Sequence, residues 1–136
     1  MASNTRFSVA VHVLGLLAWS DGPMKSARIA RSVGTNPVVI RRLLGRLADA
    51  GLVASERGPA GGTSLAREPA AITLLDVYEA SGDPELVGRH PHQARCPFGK
   101  RFRPGLDRIM DRVESNVRDE LAGTTLADAL RAMPRE

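Results

Sequence analysis

The sequence of 136 residues contains a single cysteine, Cys96. One cysteine excludes a disulfide within the chain, and it excludes a metal cluster held by three cysteines of one subunit. Aromatic residues are also scarce, at 4% of the composition. The core must therefore be built from aliphatic side chains. Charged residues, at 25%, have the usual abundance of a folded domain.

Long apolar runs are absent as well. The run from residue 9 to residue 19 is shorter than the roughly 18 residues that cross a bilayer, and it contains His12. The N-terminus has one early arginine and no small-residue cleavage site, so it lacks the pattern of a signal peptide. We therefore expect one domain with a modest core, no membrane partner and a cytoplasmic location.

No motif of an enzyme is recognisable in the sequence. It has no phosphate-binding loop, no HExxH pair and no local signature of a Ser-His-Asp set. Turnover by Cys96 would need a base, and only His90 and His92 lie near it in sequence. We therefore expect a protein that is not an enzyme.

What the sequence does contain is a concentration of positive charge between residues 25 and 67. Eight basic and two acidic residues give this segment a net charge of +6, whereas 11 basic and 13 acidic residues leave the rest at −2. The basic residues are Lys25, Arg28, Arg31, Arg41, Arg42, Arg46, Arg57 and Arg67. Charge gathered in this way is typical of a surface that faces phosphate.

Within this segment, the sequence predicts two helices joined by a tight turn. Ser26 is a candidate N-cap for a helix that runs to about Val33. Residues 34–36 form the turn, and Asn36 caps a second helix that has Pro37 at its first position. The apolar stripe that packs this second helix onto the core is formed by Ile40, Leu43, Leu44 and Leu47.

The other faces of the second helix suit the major groove of B-DNA, which admits one α-helix. We expect Arg41 or Arg42 to reach guanine or phosphate, and Val38 to contact a thymine methyl group. The helix that begins at Ser26 offers backbone N–H groups to phosphate at its start. The candidate DNA-binding residues of the two helices are Lys25, Ser26, Arg28, Asn36, Pro37, Val38, Arg41 and Arg42.

A short hairpin follows, with strands predicted at residues 52–55 and 63–66. Its turn supplies the remaining candidates for DNA, which are Arg57, Gly58, Gly61 and Gly62. Glycines permit close backbone approach, and an arginine beside them suits a minor groove or a backbone phosphate. An ordinary surface turn with solvated arginines is the alternative. The order helix, turn, helix and Arg-Gly hairpin favours DNA binding.

The flanking regions are mainly helical. The first helix, at residues 6–19, is apolar nearly all round and must be buried on more than one side, plausibly by another subunit. Thr73 caps a helix from residue 74 to about 81, and a loop follows to residue 98. A long helix is predicted from about residue 100 or 103 to 121, with Pro104 in its first turn. A short helix at 126–133, capped by Thr124 or Thr125, ends the chain.

The whole chain resembles the Rrf2 family of winged helix-turn-helix transcriptional regulators. The wing and the segment Ile72-Thr73-Leu74-x-Asp76-Val77 carry most of the resemblance, because they are more specific than helical patterns. The other supporting motifs are Ile29-Ala30, Leu43-Leu44-x-x-Leu47, Ala50-Gly51-Leu52-Val53 and Thr124-Thr125-Leu126-Ala127-Asp128. Residues 36–42 and the segment Cys96-Pro97-x-Gly99-Lys100 look most like a YwnA-like, single-cysteine branch.

The resemblance implies a mainly α fold with a small β-wing and a long C-terminal dimerisation helix. It divides one compact unit into a DNA-binding domain at 1–81, a sensor or connecting loop at 82–99 and a dimerisation region at 100–136. A homodimer bound to a pseudo-palindromic double-stranded operator would follow, with repression by occupancy.

The resemblance also raises the question of a signal. Several members of the family sense iron, nitric oxide or redox state through a cluster held by three cysteines, and this chain has only Cys96. Three interpretations stay open: a redox-reactive thiol, a zinc or iron–sulfur site shared across the dimer, or an inert residue. In the second, His12, His90 and His92 are candidate ligands beside Cys96. We expect no cofactor, and a sensor that acts through protein–protein contact is a further alternative.

Overall fold

The computed structural model of the chain describes residues 5–82, 86–91 and 95–134. Its elements in chain order are α1 (Arg6–Trp19), α2 (Ser26–Val33), α3 (Pro37–Asp49), β1 (Val53–Glu56), β2 (Gly62–Leu65), a one-turn 3-10 helix (Pro69–Ala71), α4 (Leu74–Ser81), α5 (Pro97–Ala122) and α6 (Leu126–Arg131). The predicted mainly α fold with a small β-wing is confirmed. No helix in the described ranges is long and apolar enough to cross a membrane.

The core forms around α1, which packs against α2, α4, α6 and β2. Its buried side chains are mainly aliphatic, as the scarcity of aromatic residues predicts, with Tyr78 as a buried aromatic residue. Among the largest that are fully buried are Leu14, Ile29, Ile40, Leu47 and Leu126. Apolar side chains at a helical spacing bring the surrounding helices onto this centre, because each buried leucine or isoleucine stabilises the fold by about 1.5–3 kcal/mol.

The start of α2 differs from the prediction. The N-cap is Lys25, in extended backbone and without a side-chain capping bond, and Ser26 is the first helical residue. The cause lies in the preceding residue. Met24 exchanges two backbone hydrogen bonds with Thr63, of 3.0 and 2.8 Å, so the chain is extended until it reaches Lys25. The Lys25 carbonyl then accepts the N–H groups of Arg28 and Ile29.

The wing is an antiparallel hairpin whose register runs from Val53 opposite Leu65 to Glu56 opposite Gly62. Each strand is displaced by one residue from the prediction. The hairpin leads into two helices that begin alike, since Thr73 and Thr125 each form a capping box with an aspartate three residues on. The last helix ends at Arg131 rather than Met133.

The long helix is longer than predicted. α5 begins at Pro97, three residues before the earlier of the two predicted starts, and Pro104 lies inside it rather than in its first turn. Pro97 takes the first helical position, where proline is tolerated because its missing N–H has no helical partner. Pro104 removes one internal hydrogen bond, and the helix continues through it to Ala122. Residues 83–85 and 92–94 of the predicted loop, including His92, lie outside the described residues.

Candidate nucleic-acid interface

The start of α3 is built by a local capping bond. The Asn36 Oδ1 accepts the N–H of Val38 at 2.8 Å, and Pro37 follows the cap at the first helical position. The predicted cap is therefore confirmed. One lone pair of this oxygen is used by the helix itself, and the amide NH₂ group of Asn36 remains available to donate to a base or a phosphate.

The two sides of α3 are sharply different. Its predicted apolar stripe is buried, which orients the helix on the core, and Arg41 and Arg42 are exposed on the remaining surface. Val38 and Val39 are both about half exposed beside them. Sequence reasoning singled out Val38 and missed Val39. The signal was present, since residue 39 lies about a quarter turn from the centre of the apolar stripe.

Gly45 is a second residue that sequence reasoning missed. It lies in the interior of α3 and is exposed, and a Cβ added to it would meet no atom within 4 Å. Glycine in a helix interior is less stable than alanine by about 0.5–1 kcal/mol. No packing within the described residues requires a glycine here, and its angular position lies one turn from Arg41 and Arg42.

The basic residues of the 25–67 segment fall into two groups. Three make hydrogen bonds within the protein: Lys25 Nζ donates to the Gly58 carbonyl at 2.5 Å, Arg46 to the Ser81 carbonyl at 3.0 Å, and Arg67 to the Ala50 carbonyl at 3.3 Å. The other five make no ion pair or side-chain hydrogen bond with any described residue. These five, called the open arginines below, are Arg28, Arg31, Arg41, Arg42 and Arg57.

The open arginines are all exposed and lie on α2, α3 and the wing turn. A guanidinium without an internal carboxylate keeps its full charge and its donors for a partner. The concentration of charge seen in the sequence is therefore a concentration of unpaired charge. Arg46 lies on α3 like Arg41 and Arg42 but is not one of the open arginines. Sequence spacing could not identify this difference, because the carbonyl that accepts its hydrogen bond lies 35 residues away.

The glycines of the wing have different surroundings. Gly58 has a φ of +100°, and nothing lies within 4 Å of an added Cβ. At Gly61 the added Cβ would lie 2.2 Å from the Glu56 carbonyl oxygen, and at Gly62 it would lie 2.8 Å from the Met24 backbone. Gly61 and Gly62 are thus required by the wing's own packing, whereas the surface beside Gly58 is open.

Cys96 is the N-cap of α5. Its half-buried Sγ accepts the N–H of Gly99 at 3.3 Å. It lines a cavity of about 400 Å³ together with His90, Phe98 and Phe102. His90 Nδ1 lies 2.8 Å from the Pro91 carbonyl, so Nδ1 carries the hydrogen, and in the neutral ring Nε2 keeps its lone pair. His12 is exposed in a separate groove between α1 and α6.

The donor set near Cys96 does not fit a metal or cluster within one subunit. Among the residues that the structure describes, no group of three or more His, Cys, Asp and Glu side chains is placed to hold a metal ion. Among the described residues, Cys96 shares its cavity with His90 and Asp107, and the Asp107 carboxylate is paired with Arg89 and Arg103, so fewer ligands are available than zinc or a cluster requires.

Three arginines on or beside α5, namely Arg89, Arg103 and Arg118, are paired with carboxylates, whereas Arg101, Arg108 and Arg112 of the same helix have no ion pair with any described residue. Arg89 contacts Asp107, Asp111 and Glu114, and the hydrogen bond to Asp111 raises the pKa of Arg89 above its ordinary value. Arg118 pairs with Glu79 of α4 at 3.4 Å and lies 5.7 Å from the centre of the Tyr78 ring. These contacts hold the segment before α5, and α4, against the long helix.

A helix–turn–helix with a Met24-anchored wing and five open arginines defines a class, the winged helix-turn-helix regulators that bind DNA. The profile of the Rrf2 family, described as iron-dependent transcriptional regulators, matches residues 3–132. The chain belongs to the Rrf2 family, and the resemblance stated from its motifs is confirmed.

Individual relatives agree with this assignment. The Bacillus subtilis (strain 168) protein YwnA, whose name as an HTH-type transcriptional regulator is provisional, is 39% identical over 129 residues, which cover 93% of this chain and 96% of YwnA. A solved structure named provisionally as a DNA-binding protein has a TM-score of 0.74 at 38% identity, covering 92% of this chain and 98% of its own. CymR, the global cysteine regulator of Bacillus subtilis, has a TM-score of 0.73 at 26% identity, covering 98% and 99%.

Proposed function

We propose that the protein is a homodimeric repressor that occupies a pseudo-palindromic operator. The single observation that carries the DNA-facing part of the proposal is the set of open arginines on α2, α3 and the wing. Arg41 and Arg42 reach bases or phosphates in the major groove, with Asn36, Pro37 and Val38 beside them. Arg57 and Gly58 meet the flanking backbone or minor groove, and Ser26 and Arg28 meet phosphate at the start of α2.

Binding to duplex DNA at increasing salt tests this proposal. Each phosphate that an arginine neutralises releases counterions, so affinity should fall steeply and linearly on a double logarithmic plot. The probe is a duplex enriched by the protein from a randomised pool, compared with a scrambled duplex of the same composition. Absence of binding at low salt would overturn the proposal and favour a sensor that acts through protein–protein contact.

The dimer part of the proposal rests on α5. The helix has 26 residues and none of them is buried within the protomer. An apolar stripe along it stays exposed, with Phe98 at 68%, Phe102 at 52% and Ile109 at 49%. Covering such side chains stabilises an interface by about 25 cal/mol per Å² of apolar area. A second copy of α5, with help from the exposed Trp19 of α1, supplies that cover in our proposal.

For the signal, we propose that Cys96 responds to oxidants. The sulfur lies at the N-terminus of α5, where the helix dipole favours negative charge, and it borders the exposed end of the proposed dimer surface. Hydrogen peroxide would transfer one oxygen atom to the thiolate, giving sulfenate and water. Peroxide should then change operator affinity in the native protein and leave Cys96→Ser unaffected. An equal change in both would remove Cys96 from the response.

The alternative signal is a metal or cluster completed across the dimer. It is favoured by the position of His90 and Cys96 on one cavity and by the iron dependence in the description of the family. A visible absorption spectrum and metal analysis of anaerobically purified protein decide the matter. A colourless, metal-free sample would overturn the alternative, while a metal that is lost in Cys96→Ser would overturn the thiol proposal.

A further inference from the structure

Lys25 has a hydrogen-bond partner that cannot be predicted from the neighbouring sequence. The sequence places it with the phosphate ligands at the start of α2. Its Nζ instead donates to the carbonyl oxygen of Gly58, 33 residues away in the wing turn, at 2.5 Å. The same oxygen accepts the N–H of Gly61 at 3.1 Å, which closes the turn. One carbonyl therefore joins the turn of the wing to the first helix of the helix–turn–helix.

The contact is one of three between the same two segments. Met24, next to Lys25, exchanges two backbone hydrogen bonds with Thr63 of β2. Gly62 lies so close to the Met24 backbone that a Cβ would meet it at 2.8 Å. The Thr63 hydroxyl is also bonded to the Ser55 hydroxyl at 2.9 Å, which ties β2 to β1. The end of β2 that adjoins the turn is thus held by backbone contacts with Met24, and Lys25 holds the turn itself.

We propose that Lys25 is a positioning residue that holds the wing tip, and with it Arg57, at a set distance from the recognition helix α3. This inference rests on the proposed DNA-binding function. It assigns to Lys25 the control of the distance between the two proposed DNA contacts, the wing and α3. Arg57 directly precedes Gly58, so the carbonyl that Lys25 holds belongs to the residue next to the proposed DNA contact. A wing fixed before binding loses less conformational freedom on the DNA than a mobile one.

The free protein offers the first test. Lys25→Met removes the ammonium group and keeps a side chain of similar length. Amide hydrogen exchange at Gly61 should accelerate by about tenfold, since a hydrogen bond to a charged donor is lost, while exchange at Thr63 stays unchanged because Met24 still holds it. Unchanged exchange at Gly61 would overturn the positioning role. This measurement needs no DNA, so it fails or succeeds independently of the proposed function.

A double-mutant cycle with Arg57→Ala gives the second test. If Lys25 acts through Arg57, Lys25→Met should weaken binding to the enriched duplex by about three- to tenfold in the native background and by less than about twofold in the Arg57→Ala background. Arg28→Met is the matched control, since Arg28 is an open arginine of the same helix and its effect should multiply with that of Arg57→Ala. If the fold-change in affinity caused by Lys25→Met also multiplies with that of Arg57→Ala, Lys25 is a phosphate ligand and the inference is wrong.

Discussion

The helices α3 and α5 differ in which of their side chains have partners within the chain. α3 buries its whole apolar stripe within the protomer and leaves Arg41 and Arg42 unpaired with any described residue. α5 pairs Arg103, Arg118 and the preceding Arg89 with carboxylates and leaves its apolar stripe uncovered. The exposed arginines of α3 suit a polyanionic partner, whereas the exposed stripe of α5 suits an apolar one. The difference separates two surfaces of unlike chemistry, and it suggests experiments that test the partner we propose for each.

The largest effect should come from a charge placed on the uncovered stripe of α5. Ile109→Glu puts a carboxylate where we propose that two copies meet, so sedimentation should show a monomer. Operator affinity should fall by about 100-fold or more, because the second half-site no longer adds avidity. Ser115→Glu, at an exposed polar position of the same helix, is the control and should stay dimeric. A dimeric Ile109→Glu would place the subunit interface elsewhere.

Removing one arginine from each region should give opposite results. Arg42→Met is expected to weaken operator binding by roughly 1–3 kcal/mol while the unfolding free energy stays nearly constant, because Arg42 has no internal partner to lose. Arg89→Met should lower the unfolding free energy, since three carboxylates lose their cation, and leave the affinity of the dimer for the operator unchanged. Urea unfolding and mobility shifts on both variants test the pair. Equal effects in both assays would contradict the division into two regions.

Two glycine-to-alanine substitutions distinguish a glycine that close packing requires from a glycine on an open helix surface. Gly61→Ala should destabilise the protein by about 1–3 kcal/mol, because its Cβ collides with the Glu56 carbonyl. Gly45→Ala, in the open interior of α3, should stabilise it by about 0.5–1 kcal/mol. Urea unfolding at one protein concentration compares them. A stable Gly61→Ala would show that the wing turn can rearrange.

The smallest effect concerns acid. The backbone N–H of Thr125, with added help from the Arg131 side chain, lowers the pKa of Asp128 below its ordinary value, so the ionised carboxylate stabilises the start of α6. This stability is present above the ordinary aspartate pKa of about 3.9 and is lost as the pH falls through the lower folded-state pKa. Asp128→Asn should therefore be less stable at neutral pH, and the deficit should vanish in strong acid. A deficit that persists unchanged in strong acid would contradict this role of the Asp128 carboxylate.

Patterns of short range were predicted well from the sequence. The buried stripe of α3 and the Asn36 cap follow from spacings of a few residues, and both are confirmed. The start of α5 was missed because cysteine is an unusual N-cap, although Pro97 after it was a usable signal. The wrong cap at Ser26 has a different cause, since the Met24–Thr63 bridge that sets the helix start spans 39 residues of sequence.

The roles of the basic residues were the least predictable part of the site. Composition shows that eight of them share a segment, but it does not show which have acceptors. Lys25, Arg46 and Arg67 find theirs 17 to 35 residues away, on the wing, α4 and the end of α3. Such pairs depend on how the elements pack, which no local pattern encodes. The domain division at residues 81 and 99 stays a prediction.

The attachment of α5 at one end has a mechanical consequence. Immediately after the helix, the Thr124 carbonyl accepts the N–H of Leu74, and Leu126 donates to Ile72, so the chain is clamped to the start of α4. Phe98 lies 24 residues from Ala122, about 36 Å at 1.5 Å per residue. α5 is therefore fixed at its C-terminal end and held again near its middle by Arg89, and for a rigid helix a rotation of one degree at the clamp moves Phe98 by about 0.6 Å over that length. Small changes beside the two threonine caps are thus magnified most strongly where Cys96 lies.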